Sequence, residues 1–312
     1  MLKKELLLKL NRVEMIASVS KLRRMLIHPI KYIDAILFRE IIYKKSKKGR
    51  EITCKTFFQN EMHILLPAST DIYLTGGKSH DSEVRLAKYL ILNLHEMDTF
   101  MDIGAHYGYF SLLASRIVGE KGHVVSFEAS PTTFRILEKN STKDRMLKVY
   151  NYAISNTNND LIFYEFPNLY SEYNTLEVEQ FSEEEWFKLA SPKKVKVSAI
   201  ILDDFFSKEN YRPHIIKIDV EGAEYKVLSG ANDYLNNNSP SIVMEYLSAQ
   251  RGNEAHLQAE NLLKSKGYLP YLIDSKGQLN VVANINLYLD ENELESDNIV
   301  FIKKNDIGSN NI

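Results

Sequence analysis

Cysteine occurs once in the 312 residues, at Cys54. A single thiol excludes an internal disulfide and argues against a thiolate metal cluster. No apolar run reaches the roughly 18–20 residues that a bilayer span requires. The first residues lack the apolar h-region and small-residue cleavage site of a secretory leader. There is no internal repeat, and the polar tail after Lys303 is the one biased stretch. Neither sign of charge dominates, with 39 Lys/Arg against 41 Asp/Glu and a net charge of −2. At 44% hydrophobic and 26% charged, the chain can bury a full core as one large domain, or as one domain with an appendage. The expectation is a cytoplasmic enzyme or binding protein.

The near-neutral total hides an asymmetry. Residues 1–50 carry 14 Lys/Arg against 4 Asp/Glu, or +10, and the remainder carries −12. Leu6, Leu7, Leu10, Val13, Ile16, Leu22 and Leu26 recur at helical spacing in this arm, which ends in the cluster Lys44-Lys45-Lys47-Lys48-Arg50. Such a basic amphipathic arm can lie on the inner, anionic face of a membrane, where a lipid-linked substrate is met. The alternative is a helix packed on the protein's own acidic body with its lysines in water. Nucleic acid is not expected as a partner, because the body is acidic and lacks a recognition motif. The organisation expected is a basic helical arm over 1–50, a main domain over 51–305 and a polar tail over 306–312.

Ile52–Leu74 reads as short strands, with Met62–Leu66 stopping at Pro67 and Ile72-Tyr73-Leu74 running into Gly76-Gly77. Ser79 then predicts the cap of a helix whose first turn holds Asp81 and Glu83. From residue 99 strands and helices alternate. Thr99–Ile103, His123–Glu128, Val149–Ser155, His214–Asp219 and Ser241–Tyr246 read as strands. Tyr109–Val118, the segment opened by Pro131, and Glu221–Ser229 read as helices. Leu161–Phe166, Val195–Val197 and Asp203–Phe206 are weaker strand signals around a polar insertion, Asn168–Ser191. The fold class expected is α/β, a doubly wound, mostly parallel sheet with ligands at the carboxyl ends of its strands.

Those strand ends hold the chemistry. Phe100-Met101-Asp102-Ile103 runs into Gly104-Ala105-His106-Tyr107-Gly108, a strand, a glycine turn and then a helix whose N–H groups face the turn. Glu128 ends the next strand, 24 residues after Gly104, where a carboxylate can accept both hydroxyls of a ribose. Dinucleotide sites use Gly-x-Gly-x-x-Gly. The Gly-x-x-x-Gly spacing here, with His106 and Tyr107 inside it, crowds a pyrophosphate and favours an adenosyl sulfonium.

These motifs resemble the FkbM-type family of S-adenosylmethionine-dependent methyltransferases. The resemblance runs through Phe100–Gly108, Val125-Ser126-Phe127-Glu128-Ala129 and Asn151-Tyr152-Ala153-Ile154-Ser155. It is most specific in Ile215-Ile216-Lys217-Ile218-Asp219-Val220-Glu221-Gly222-Ala223-Glu224, followed by Val227-Leu228 and Gly230-Ala231. It covers about residues 75–273 and leaves the basic arm outside. It implies a class I methyltransferase sheet, Rossmann-like, with one antiparallel strand near its end. It also implies S-adenosyl-L-methionine as cofactor, with Asp102, Gly104 and Gly108 around the methionine part, Glu128 at the ribose, the Ala153 region by the adenine, and Ala105, Tyr107 and Ala129 as further cofactor-binding residues. His106 stands where the family pattern has Asn.

Methyl transfer to a hydroxyl needs an aligned acceptor and a positioned base. Asp219 and Glu221 are the expected pair, sharing a face if the strand continues through Val220, with one pKa raised by the other. The competing reading is that Glu221 and Glu224 only favour a helix N-terminus, with Lys217 as charge partner. His106 is a second candidate base. Glu245 and Tyr246 are expected on the substrate side. Tyr170, Tyr173, Trp186 and Phe187 are available to stack on a sugar or to pack a lid. Asp219, Glu221 and Glu245 could surround Mg²⁺, but their spacing does not demand it and no metal is expected. The function expected is O-methylation of a sugar, glycan or natural-product hydroxyl. A non-catalytic adenosyl-ligand-binding scaffold and a dinucleotide-dependent oxidoreductase remain as alternatives.

Overall fold

The computed structural model describes residues 1–178, 187 and 190–304; Trp186 and the tail 306–312 lie outside the described residues. Helices α1 (Leu2–Ser18), α2 (Lys21–Ile27) and α3 (Pro29–Leu37) precede strands β1 (Arg50–Lys55) and β2 (Glu61–Leu66). Helices α4 (Thr70–Thr75) and α5 (Asp81–Asn93) lead to β3 (Thr99–Ile103), α6 (Tyr109–Val118), β4 (His123–Phe127), α7 (Pro131–Ser141) and β5 (Leu147–Tyr150). Next come β6 (Ala153–Ser155), β7 (Leu161–Glu165), β8 (Lys193–Val197), β9 (Ala199–Ile201), α8 (Leu202–Lys208), β10 (Ile215–Ile218), α9 (Glu224–Ser229) and α10 (Asn232–Asn237). The chain continues through β11 (Ser241–Leu247), α11 (Glu254–Ser265), β12 (Tyr268–Ile273), β13 (Leu279–Val281), α12 (Ile285–Glu291) and β14 (Ser296–Lys303).

Eight strands make one sheet in the order β13-β12-β14-β11-β10-β3-β4-β5. From β5 to β11 the neighbours are parallel. Strand β14 enters antiparallel between β11 and β12, and β13 folds back on β12. The antiparallel end is therefore wider than the single strand the resemblance implied. Period-two alternation divides the apolar side chains between two cores. Phe100 and Ile215 face α1, α5 and α6, whereas Met101, Ile103, Ile216 and Ile218 face α8–α11. This is a doubly wound α/β fold. Its strand order reverses at β3, with β4 on one side and β10 on the other, and that reversal places the crevice for a ligand at their carboxyl ends.

Several local expectations change. Ile72-Tyr73-Leu74 is helical, because Ser69 and Ile72 carbonyls take the N–H groups of Tyr73 and Gly76, and Gly76 closes the turn at φ 81°. The cap of α5 is His80 rather than Ser79, whose N–H instead donates to Asp71 Oδ2 at 3.1 Å. Val149–Ser155 divides into β5 in the main sheet and β6, which pairs with β9 outside it. Asp203–Phe206 belongs to α8, which packs Phe205 against Phe127 and Tyr150. Strand β10 ends at Ile218, so Asp219 and Glu221 do not alternate along an extended strand.

The basic arm also divides. Leu6, Leu10, Val13 and Ile16 of α1 are buried, the first three within the same core as α5. Lys88 Nζ reaches Glu14 at 2.7 Å, and Lys3 Nζ donates to the Leu92 carbonyl at 2.7 Å. Leu22 and Leu26, placed by sequence on the same apolar stripe, are exposed instead. Among the described residues no helix is long and apolar enough to cross a membrane.

Candidate active site

The turn after β3 is held by the backbone. The N–H groups of Gly104 and Ala105 both donate to the Phe127 carbonyl, at 3.0 and 2.9 Å. Gly104 has φ 79°, and a Cβ there would lie 1.8 Å from the Asp219 carbonyl oxygen. Its bare α-carbon thus lets the segment after β10 close against β3. Gly108, at φ 85°, precedes α6, and a Cβ would meet Leu137 Cδ1 of α7 at 2.6 Å. His106 has φ 51°. Asn and His both tolerate this left-handed region, so the backbone survives the exchange of the expected Asn.

A cavity of about 310 Å³ opens at the carboxyl ends of β3, β4, β10 and β11. One end is mostly apolar, walled by Phe127, Ala129, Ala153, Ile154, Phe163 and Leu176, with Glu128 at its edge. Glu128 accepts the N–H groups of His106 and Ser130, each at 2.9 Å, leaving further lone pairs for a ligand. Burial nevertheless raises its pKa to about 8.

The other end is acidic. Asp219, Glu221 and Glu245 bring carboxylate oxygens within 4.8 Å of one another, a donor set of the kind a hard divalent cation can take. Lys217, opposite Asp102 in the β3–β10 register, already places a charge there. Its Nζ lies 2.9 Å from Asp219 Oδ2, 3.5 Å from Asp102 Oδ1 and 5.5 Å from the Phe110 ring centre. Burial opposes ionisation of Asp219, but the Lys217 charge outweighs it and holds the carboxyl below its ordinary range. Glu221 is pushed the other way, by burial and then by Glu245 and Asp219. Glu245 rises to about 8 through burial and the charge on Asp219, despite a 2.8 Å bond from Ser296.

Residues 219–223 form a bend, with Glu221 at φ 53° and Gly222 at φ 95°. Glu224 Oε1 receives the N–H groups of Val220 and Gly222 at 3.3 Å, and its other oxygen faces His256 Nε2 at 3.2 Å. The inserted stretch reaches the same bend, since Thr175 Oγ1 donates to the Glu221 carbonyl at 2.6 Å. Residues 168–173 cover the glycine turn: Ser171 Oγ pairs with His106 Nε2 at 3.0 Å, and Glu172 faces Lys78, which also binds Glu83. Burial drives the His106 imidazole down to about 4. Buried beside Glu83 and Glu172, Asp71 rises to about 7.

Of the residues singled out from sequence, Gly104, His106, Glu128, Ala129, Ala153, Asp219, Glu221 and Glu245 line this one cavity. Asp102, Ala105, Tyr107 and Gly108 do not. Asp102 lies behind the wall, accepting Ser111 Oγ at 2.6 Å. Ala105 and Tyr107 border a much smaller hollow beside the turn. Tyr246 is fully buried and donates to Glu260 at 2.7 Å, away from the cavity. Tyr173 lines the cavity, while Tyr170 and Phe187 pack near Phe166 and Ala190. Sequence reasoning did not reach Lys78, Ser171, Glu172 or Asn298. The Gly76-Gly77 dipeptide before Lys78 was a usable signal; the other three become neighbours only through the fold.

The model of the methyltransferase FkbM domain matches residues 102–270, more than half of the chain. A curated relative, the hexuronic acid methyltransferase AglP of Haloferax volcanii, is 25% identical over 155 residues, 49% of this chain and 58% of its own length. The chain thus spans less than two thirds of that relative. Methyltransferase 1 of Beauveria bassiana is 28% identical over 184 residues, 55% of this chain and 72% of its own. Among solved structures, the methyltransferase FkbM of Methylobacillus flagellatus is 13% identical, with a TM-score of 0.41 covering 75% of this chain and 52% of that one. This chain belongs to the methyltransferase family defined by the FkbM domain.

Proposed function

We propose that this protein is an S-adenosylmethionine-dependent O-methyltransferase acting on a hydroxyl of a sugar, glycan or related metabolite. The carrying observation is one cavity lined both by Glu128 with the apolar Ala129, Ala153 and Phe163 and by the clustered carboxylates Asp219, Glu221 and Glu245. The fit is chemical: apolar walls suit a purine, Glu128 suits a ribose diol, and carboxylates suit a cationic sulfonium. When bound, S-adenosylmethionine supplies an activated methyl group.

The chain's own residues supply the rest. Asp219, kept ionised by Lys217, accepts a hydrogen bond from a neighbouring hydroxyl of the acceptor and so orients the reacting one. Glu221, whose proton affinity is raised by burial and by Glu245, takes the hydroxyl proton. His106, neutral above its low pKa, serves as a positioning residue, with its N–H on Glu128 and its ring on Ser171. Thr175 and Ser171 hold the 168–175 segment over the site and exclude water.

Six carboxyl groups, Glu83, Glu128, Glu172, Asp219, Glu221 and Glu245, line the cavity against Lys78 and Lys217. Above about pH 8, where Glu128 and Glu245 ionise, that excess opposes an acceptor carrying its own carboxylate and favours a neutral polyhydroxyl one. The Haloferax volcanii relative, named for a hexuronic acid, supports the sugar class. Calorimetry with S-adenosylmethionine, S-adenosylhomocysteine and NAD is the first test. Binding of the two sulfur ligands, and labelled methyl transfer to a glycoside, is expected; tight NAD binding without response to either sulfur ligand overturns the reading.

A further inference from the structure

We propose that the surface formed by residues 21–48 docks the protein on a lipid bilayer carrying anionic headgroups. Helix α1 spends its apolar stripe on the core, but the segment after it does not. Leu22 is 64% exposed, Leu26 71%, Ile30 83%, Ile33 50%, Leu37 49% and Ile41 52%. Ile30, Ile33 and Leu37 fall at i, i+3 and i+7, one outward face of α3. The opposite face is already used: Ala35 is buried, and Phe38 and Tyr43 pack on Leu66, Ile52, Tyr73 and Leu169. The segment is therefore anchored on its inner side while its apolar outer side meets solvent, a contiguous exposure that marks an interaction surface.

Charge identifies the occupant. Residues 21–48 contain nine Lys/Arg and only two acids, Asp34 and Glu40. Asp34 is engaged by Arg50, and Glu40 by Lys44. Lys44, Lys45, Lys47 and Lys48 are all exposed beside the apolar residues. Apolar side chains among cations match the boundary between acyl chains and anionic headgroups. A second copy meeting this surface face to face would bring like charges together. The surface also adjoins the cavity cover, because the Tyr43 hydroxyl receives the Leu169 N–H at 2.9 Å.

Co-sedimentation of the full chain with phosphatidylcholine vesicles, with and without phosphatidylglycerol, tests this. Binding is expected only with phosphatidylglycerol, and should weaken as salt rises. The double variant Ile30→Asp/Ile33→Asp should abolish it. Lys44→Ser/Lys45→Ser should lower the partition coefficient by roughly tenfold or more. All four positions are exposed, so circular dichroism and Tm should match the parent. No binding to phosphatidylglycerol vesicles, or binding undiminished in both variants, overturns the proposal. So does a concentration-dependent dimer, seen by sedimentation velocity, that the same substitutions dissolve.

Discussion

The α-carbon of Gly104 and the carbonyl oxygen of Asp219 approach so closely that a methyl group on the glycine would lie 1.8 Å from that oxygen. This contact closes β3 against the bend after β10 and sets one wall of the cavity. Gly104→Ala adds a collision to an unfavourable φ and should cost about 2–5 kcal/mol. At Gly252, with φ 72°, an added methyl group would meet only a Glu254 carboxylate oxygen, at 3.8 Å. Gly252→Ala should cost about 1 kcal/mol, from strain alone. Urea unfolding of the two variants separates these values.

Glu221 and Glu245 should give the reaction an unusual acid limb. With Glu245 at about 8 and Glu221 also raised, kcat/KM should climb with pH well above the ordinary carboxylate range of about 4. Glu245→Gln removes a like charge from beside Glu221 and should move the limb to lower pH. Glu221→Gln and Asp219→Asn should each lower turnover by roughly 10²-fold or more. A pH–rate profile unchanged in Glu245→Gln contradicts the assignment.

Glu128 couples cofactor affinity to stability. Its pKa of about 8 in the fold exceeds the ordinary glutamate value of about 4.3. Its contribution to stability is complete below the lower value and is lost as pH rises through the higher one. Glu128→Gln escapes that loss, so its stability relative to the parent should improve as pH is raised through about 8. Above about pH 8, where Glu128 of the parent is ionised, the variant's affinity for S-adenosylhomocysteine should fall roughly tenfold, the loss of a hydrogen bond to a charged acceptor. Denaturation at several pH values and calorimetry read both effects.

His106 has the opposite sign. Burial lowers its pKa to about 4, from about 6.5 in an unfolded chain. Its contribution is present above the higher value and is lost as pH falls toward the lower. His106→Asn keeps the left-handed turn and removes the titration. The fall in Tm between neutral and mildly acidic buffer should therefore be smaller in the variant.

The acidic cavity should discriminate among sugars. Above about pH 8, where Glu128 and Glu245 are ionised, a neutral glycoside should be methylated with at least roughly tenfold higher kcat/KM than the matching hexuronate, since like charges brought together cost several kcal/mol. Labelled methyl transfer to the two acceptors measures the ratio.

Much of the frame was legible because it is local. The strand-turn-helix at 99–118, Glu128 just after β4 and Glu245 near the end of β11 follow from periodicity and glycine placement. Misread segments were those where neighbours overrode propensity. Ile72-Tyr73-Leu74 has strand-forming residues but is wound by Ser69 and Gly76, and Asp203–Phe206 is helical because α8 packs on Phe127 and Tyr150. Asp102, the acid that ends the motif strand, looked like a ligand contact. Its row in the sheet turns it toward Ser111 and Lys217 instead.

By itself the sequence determined the α/β alternation, the glycine turn with Glu128 downstream, and the Lys-Ile-Asp-Val-Glu-Gly run, since each depends on residues close together in the chain. Only the tertiary structure decided that Glu245, Glu172 and Lys78 face Asp219 and Glu221, and that the basic arm is half core and half open surface. The reason is physical. Proton affinities and exposure depend on which groups meet across strands and loops, and on how much water they lose in meeting, and neither is encoded by spacing along the chain.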